Sequence, residues 1–224
     1  MDFAALVQFL AELEQNNNKT WFEANSKRYD ALRADFTDLV AEVVFGVATF
    51  DPRIQGVLAK DTLFRIHRDV RFARDKVPYK TQFSSSITDR GRIGAPGYYF
   101  QVDHTGRLMA GGGLWRPETD ILARIRTYIA QRPAALDTLL EDETFMEMFG
   151  DFDGPRLQRP PRGFDETTPH LEHVKLKSFT VGREVEVGSL GEDEAAPFIV
   201  ETFRAMYPAI QWLRDAVHAP RPNA

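Results

Sequence analysis

Apolar residues recur three and four positions apart over residues 3–14 and again over residues 29–47. That spacing puts them on one face of a helix, so we predict two amphipathic helices. The run Asn16-Asn17-Asn18 separates them, because asparagine tolerates turn conformations. The second helix should end before Asp51-Pro52, since proline disfavours helix at the residue that precedes it.

After residue 60 the period of the apolar positions changes to two. Over residues 64–72 apolar and charged residues alternate, which predicts a half-buried strand. Residues 82–88 and 97–114 have the character of further strands. The second stretch contains Asp103-His104-Thr105-Gly106, a sequence suited to the turn of a hairpin.

Helical spacing returns after Pro117, which fits the first turn of a helix, and Pro133 should end that helix. Prolines and glycines over residues 156–169 predict irregular backbone there. The remaining elements are predicted as short helices (134–154), irregular backbone (156–169), a strand (173–181) and two helical pieces broken at Pro208 (192–217).

These elements together predict an α+β fold, with a central, mainly antiparallel sheet flanked by N-terminal and C-terminal helices. A chain of 224 residues is predicted to form a single domain. Along the chain, that domain comprises N-terminal helices (1–52), a strand-rich core (60–115), helices with a loop (117–170), and a strand with C-terminal helices (171–219).

The composition excludes several kinds of site. There is no cysteine, which removes disulfides, thiolate metal ligands and a cysteine nucleophile.

The N-terminus lacks the basic start of a secretory signal, and no apolar run approaches the roughly 20 residues of a membrane-spanning helix. We therefore expect a soluble cytoplasmic protein that does not enter a membrane. The composition leaves both the cofactor and the oligomeric state unknown.

The charge is distributed unevenly. Residues 60–80 hold seven Lys or Arg and three Asp, a charge of +4 inside a chain of −5, so the remainder carries −9. On the predicted strand Arg65, Asp69 and Arg71 share one face, and Arg68 falls on the apolar face. A buried arginine needs a carboxylate or a bound anion, and guanidinium suits carboxylate or phosphate.

The favoured hypothesis is a soluble enzyme or small-molecule-binding protein with a cationic pocket for a phosphate- or carboxylate-bearing ligand. Asp69 and Tyr79 are the candidates for proton transfer. The glycine run after the second hairpin strand offers backbone N–H groups to a phosphate, or permits another backbone to pass close by. The candidate ligand-binding residues are Arg65, Arg68, Arg71, Lys76, Lys80, Gly111, Gly112 and Gly113.

Two other functions are open. In the first, the arginines and aspartates form an internal salt-bridge network in a structural or partner-binding module. In the second, the arginines and nearby aromatic residues bind single-stranded nucleic acid. The negative charge of the rest of the chain makes this function less favourable.

Two apparent catalytic motifs fail. His67-Arg68-Asp69 spells the kinase triplet, but Arg74 stands where a kinase needs asparagine. His67 and Asp69 would share a strand face as metal ligands do, yet the neighbouring arginines disfavour a divalent cation. We therefore predict no metal site.

Residues 65–80 carry the motif R-x-x-R-D-x-R-F-x-x-D-K-x-P-Y-K, which resembles the signature of the mostly bacterial domain of unknown function 2461 family. The resemblance covers nearly the whole chain and implies membership, but it implies no activity, cofactor or partner. The other segments that resemble the family are Asn16–Phe22, Gly97–Tyr99, Gly111–Pro117, Arg159–Phe164 with Pro169, and Lys175–Phe179.

Overall fold

A computed structural model describes residues 1–71, 75–89, 95–191 and 193–219. Within these ranges nine α-helices and four strands are found. The helices are α1 (Phe3–Gln15), α2 (Lys19–Ala24), α3 (Ser26–Ala48), α4 (Ala59–Thr62), α5 (Thr119–Gln131), α6 (Pro133–Leu140), α7 (Glu143–Phe149), α8 (Leu171–Val174) and α9 (Ala195–His218). The strands are β1 (Gln82–Ile87), β2 (Gly97–Asp103), β3 (Arg107–Leu114) and β4 (Phe179–Glu186).

The four strands form one antiparallel sheet in the order β1-β2-β3-β4, which confirms the predicted α+β fold. The predicted turn joins β2 to β3: the Asp103 carboxylate accepts hydrogen bonds from the backbone N–H groups of Thr105 and Arg107. Gly106 completes the turn with a φ of +86°, a conformation that glycine adopts without strain. No helix in the described ranges is long and apolar enough to cross a membrane.

The chain divides into two compact units, and the assignment to a single domain stays a prediction. The first unit contains Met1–Arg92, Tyr99–Ala110 and Glu184–Glu201, and the second contains Ile93–Tyr98, Gly111–Arg183 and Thr202–Ala224.

In the first unit, α1 and α3 supply most of the helical core. The Asp2 side chain caps α1 by accepting from the N–H of Ala5 at 2.9 Å, which satisfies one of the free donors at the start of the helix. On α3 the buried residues follow the predicted stripe. Phe36 from this stripe lies 5.5 Å from the Phe83 ring and 5.4 Å from the Phe100 ring, so α3 packs on the inner face of β1 and β2.

In the second unit, α5 buries Ile125, Tyr128 and Ile129, as its spacing predicts. An aromatic cluster of Phe152, Phe179 and Trp212 fills the core, with ring centroids 5.6–6.2 Å apart. Such tilted and edge-on contacts are the arrangements that aromatic quadrupoles favour.

Over residues 64–71, the described part of the predicted strand, no regular strand forms. The chain forms only isolated antiparallel bridges there, Leu63 with Ser85 and His67 with Tyr79. The alternation of apolar and charged residues is real, but the segment turns back on itself instead of extending the sheet. The end of the predicted strand, Phe72, lies outside the described residues.

The C-terminal half differs from prediction in two places. The predicted strand 173–181 begins only at Phe179, because α8 occupies its first residues. The predicted helix break at Pro208 is wrong, since α9 runs through it. Proline in a helix interior costs about 3 kcal/mol. Met206 and Ile210 are fully buried on either side, and their packing offsets that cost.

Candidate functional site

Residues 65–80, called the basic loop below, fold back so that their two ends pair. The Arg68 N–H donates to the Pro78 carbonyl at 2.9 Å, and the Lys80 N–H donates to the Ile66 carbonyl at 2.8 Å. These bonds flank the bridge between His67 and Tyr79. The described residues beyond this closed base, 69–71 and 75–77, are called the tip, and the Arg68 side chain joins them through its bond to Asp75; residues 72–74 lie outside the described ranges.

A side chain from the turn between α1 and α2 holds the base of the loop. Asn17 Nδ2 donates to the Tyr79 carbonyl at 3.0 Å, and the Tyr79 N–H donates to Asn17 Oδ1, also at 3.0 Å. The amide thus offers Tyr79 one donor and one acceptor, as a neighbouring strand would. The Phe22 ring stacks on the Tyr79 ring at 4.2 Å. Two motifs far apart in sequence therefore meet here.

Three described cationic side chains at the tip, those of Arg68, Arg71 and Lys76, are bonded to other residues of the loop. Arg71 donates through Nε and Nη2 to the two oxygens of Asp69 at 2.9 and 2.6 Å, and Arg68 Nη1 donates to Asp75 at 2.9 Å. The Arg71 side chain is 77% exposed and that of Arg68 is 33% exposed. Water screens exposed ion pairs and side-chain entropy opposes them, so these pairs hold the arginines weakly.

Arg68 was predicted to lie on a buried strand face, with an internal carboxylate or an anion as its partner. The structure places it half-buried against Asp75, an exposed carboxylate. Lys76 Nζ donates to the Val70 carbonyl at 2.9 Å, which keeps a second cation at the tip. Arg65 is exposed near the base, and its charge adds to the lowering of the pKa of Asp69 that comes mainly from the hydrogen bonds of Arg71.

The two candidates for proton transfer have different environments. The hydrogen bonds from Arg71 hold the pKa of Asp69 below its ordinary value, and the bond from Arg68 does the same to the pKa of Asp75. Asp69 is therefore a weak proton acceptor and suits the orientation of Arg71. Tyr79 is only 5% exposed, and its ring lies between those of Phe22, at 4.2 Å, and His67, at 5.1 Å. A catalytic role for either residue stays a prediction.

A polar cluster that the sequence did not reveal lies on the outer face of β1 and β2. The Tyr99 hydroxyl donates to Gln101 Oε1 at 2.7 Å, and Gln82 Nε2 donates to the same oxygen at 2.9 Å. Burial raises the pKa of Tyr99 above its ordinary value. The cluster borders the base of the basic loop: the Phe64 ring lies 6.1 Å from the Tyr99 ring and carries Lys80 Nζ 4.9 Å from its centroid.

The predicted glycine run belongs to the second unit and has a packing role. A Cβ atom on Gly112 would overlap the Gly97 carbonyl oxygen, and one on Gly113 would overlap that of Phe179. Gly113 also has a φ of +113°, which disfavours any other residue. Close backbone approach accounts for glycine at positions 112 and 113, and a phosphate cradle at this run stays a prediction.

Among the residues that the structure describes, no three His, Asp or Glu side chains are grouped so that they could hold a metal ion.

The comparison with protein families gives one match. A family model described as "Conserved hypothetical protein (DUF2461)" matches residues 5–212, nearly the full length. No curated protein and no solved structure matches the chain.

Proposed function

This chain belongs to the DUF2461 family, and we propose that it binds a small molecule carrying a phosphate or carboxylate group through the basic loop. The observation that carries the proposal is the contrast between the two ends of the loop. Its base is closed by backbone bonds and by the Asn17 amide, whereas its tip presents the exposed Arg71, paired with the exposed Asp69, and the exposed Lys76, bonded to a backbone carbonyl.

The bond between Arg71 and Asp69 favours this function. A guanidinium has five N–H donors, and Asp69 uses Nε and one N–H of Nη2. The aspartate thereby fixes the guanidinium plane, and the other donors of the fork can contact an anion. The residues from 60 to 80 keep a charge of +4 after their own aspartates are counted, so an anion is attracted to the segment as a whole.

Binding fits this geometry better than catalysis. A general base works best with a pKa near the working pH, and the pKa of Asp69 is shifted away from neutrality. We therefore assign Asp69 the role of orienting Arg71. Arg68, Arg71 and Lys76 contact the anion at the tip, and Arg65 adds charge near the base.

The test measures binding of inorganic phosphate, pyrophosphate and citrate by calorimetry to the wild type and to Arg71→Ala. A hydrogen bond to a charged group contributes about 1.5–3 kcal/mol, so Arg71→Ala should weaken binding by about tenfold or more. Its melting temperature should hardly change, because the lost ion pair is exposed.

Arg107→Ala is the matched control, since Arg107 also forms an exposed ion pair, with Glu184 at 3.3 Å, and its loss changes the net charge equally. The control should bind anions as the wild type does. Equal affinities of the Arg71 and Arg107 variants, or absence of anion binding by the wild type, would refute the proposal.

A second candidate function, the structural or partner-binding module, is favoured by the bonds of Arg68 and Arg71 to acids of their own loop. The double variant Asp69→Arg, Arg71→Asp separates the two. If the pair has a structural role, each single variant should lower stability and the swap should restore it. If the loop binds an anion, the swap should leave stability unchanged and binding impaired.

A further inference from the structure

We infer that Trp115 and Arg116, directly after β3, form a binding site for a ligand that combines a flat aromatic ring with a negative charge, as a nucleotide does. The indole stacks on the base, and the guanidinium bonds to the phosphate. This site belongs to the second unit, and the inference does not depend on anion binding by the basic loop.

The backbone at Arg116 has a conformation that residues with a side chain rarely adopt. Its φ is +46°, in the left-handed region, where the Cβ atom crowds the backbone. The Arg116 N–H donates to Oγ of the buried Ser178 at 3.0 Å, so the motifs Gly111–Pro117 and Lys175–Phe179 meet at this bond. Strained residues held in this way cluster at binding and active sites.

The Arg116 guanidinium has donors to spare. His170 also has a positive φ, but its ring is bonded to Asp137 at 2.9 Å. In the described part of the chain no hydrogen bond or ion pair engages the Arg116 guanidinium, and Glu118, two residues away, does not pair with it. All five N–H donors are therefore open to an anion, and a guanidinium fork suits a phosphate.

Trp115 supplies the aromatic surface. It is 60% exposed, and Arg116 Cζ lies 5.1 Å from the centroid of its ring. Because the guanidinium lies over one face of the indole, the exposed area belongs mainly to the other face and the edges. Bases stack on such a face whatever their identity, and the cation–π contact keeps the guanidinium beside it.

The surroundings favour a small planar ligand over a protein partner. Residues 116 and 118–120, which follow Trp115, are exposed and polar, so no apolar patch continues from the ring in this direction. A stable protein interface buries about 800 Å² on each partner around an apolar core, which one ring does not provide. Lys177 directly precedes Ser178 and is exposed, so its flexible side chain adds a second charge near the Arg116 backbone.

The experiment titrates the wild type with AMP, adenosine and ribose 5-phosphate, which separate the base from the phosphate. Calorimetry gives the affinities, and tryptophan fluorescence, excited where adenine does not absorb, reports stacking. We expect AMP to quench Trp115 and to bind at least about fivefold more tightly than either fragment, since base and phosphate each contribute. In Arg71→Ala, which impairs the basic loop, the AMP affinity reported by Trp115 should be the same.

Two variants remove one half of the site each. Trp115→Ala should weaken AMP binding by at least about fivefold, and Trp115→Phe should abolish the quenching. Arg116→Gly should weaken AMP binding by about tenfold or more, through loss of a hydrogen bond to a charged group. It should not lower the melting temperature, because glycine adopts a positive φ without strain.

Arg132→Ala is the matched control. Arg132 is also exposed, and its Cζ lies 5.5 Å from the Tyr128 ring, but that ring is buried and offers no face for stacking. The variant removes the same charge and the same kind of contact, and it should bind AMP as the wild type does.

The outcomes separate this site from the basic loop. Equal affinities for AMP and ribose 5-phosphate, quenching that persists in Trp115→Phe, or equal AMP binding by the Arg116 and Arg132 variants would overturn the inference. Each of these results leaves the proposal for the basic loop untouched. A short oligoadenylate that binds more tightly than AMP would assign the site to single-stranded nucleic acid, and equal affinity would assign it to a free nucleotide.

Discussion

The bond between Asn17 and Tyr79 makes a quantitative prediction about the basic loop. Asn17→Ala removes two hydrogen bonds of 3.0 Å and leaves the Tyr79 N–H and carbonyl partly buried without this partner. Each bond contributes about 1 kcal/mol net, and water can replace part of it, so the free energy of unfolding should fall by about 2 kcal/mol. For a chain of this length, that lowers the melting temperature by about 4–8 °C.

The assays are urea denaturation followed by circular dichroism and hydrogen exchange of the Tyr79 amide. The exchange should accelerate in Asn17→Ala, because its hydrogen-bond acceptor is gone. Asn17→Asp should recover at most half of the stability, since its carboxylate still accepts from the Tyr79 N–H but cannot donate to the Tyr79 carbonyl.

Asn18→Ala provides the control for general damage to this turn. Asn18 caps α2 by accepting from the Trp21 N–H at 3.0 Å, so its loss should cost about 1 kcal/mol and leave the exchange of Tyr79 unchanged. Stability of Asn17→Ala within about 0.5 kcal/mol of the wild type, the scatter of ordinary surface substitutions, would show that the amide does not hold the loop. Unchanged exchange at Tyr79 would show the same.

Three further predictions concern other parts of the molecule. Gly113→Ala should lower the free energy of unfolding by about 2–5 kcal/mol, because the positive φ and the overlap with a backbone carbonyl both oppose a side chain. Gly163→Ala is the control: φ is also positive there but the space around it is open, so the free energy of unfolding should fall by about 1–2 kcal/mol. Because the pKa of Asp69 is lowered in the folded protein, its ion pair with Arg71 is intact at pH values above the ordinary aspartate pKa and is lost as the pH falls through the folded-state pKa. A titration of the Asp69 carboxyl followed by NMR should give a midpoint below the ordinary aspartate pKa, and Arg71→Ala should raise that midpoint. Because the pKa of Tyr99 is raised in the folded protein, its contribution to stability is lost as the pH rises above the ordinary tyrosine pKa near 10. A pH titration followed by tyrosinate absorbance should show one tyrosine that ionises at higher pH than the others, and this step should be absent from Tyr99→Phe.

The helices and the hairpin were predictable because their signals are local. The stripe on α3 and the turn at Asp103 depend on residues within a few positions of each other. Pro208 shows the limit of local reasoning. The residue itself opposes a helix, and only burial of the residues around it, which depends on the tertiary fold, keeps α9 continuous.

The candidate site was predictable in composition and not in geometry. The sequence identified the cations of the basic loop. The alternation of apolar and charged residues over 64–72 indicated a strand, because no local signal in the sequence shows that the chain turns back there. Closure of the loop depends on Asn17, 62 residues away from Tyr79. Gln82, Tyr99 and Gln101 lie in segments predicted as strands, but a pattern of period two gives the face of a residue and not its hydrogen-bond partner.

The closed base of the basic loop has a practical consequence. The bonds that close it join the backbone N–H groups of Arg68 and Lys80 to the carbonyls of Pro78 and Ile66, and the Asn17 amide bonds to the backbone of Tyr79. None of these bonds uses a side chain from residues 69–77. The sequence of the tip can therefore be exchanged without removing the hydrogen bonds that close the base. The protein should therefore serve as a cysteine-free scaffold on which peptides grafted between Arg68 and Pro78 are displayed, with binding specificity chosen independently of folding.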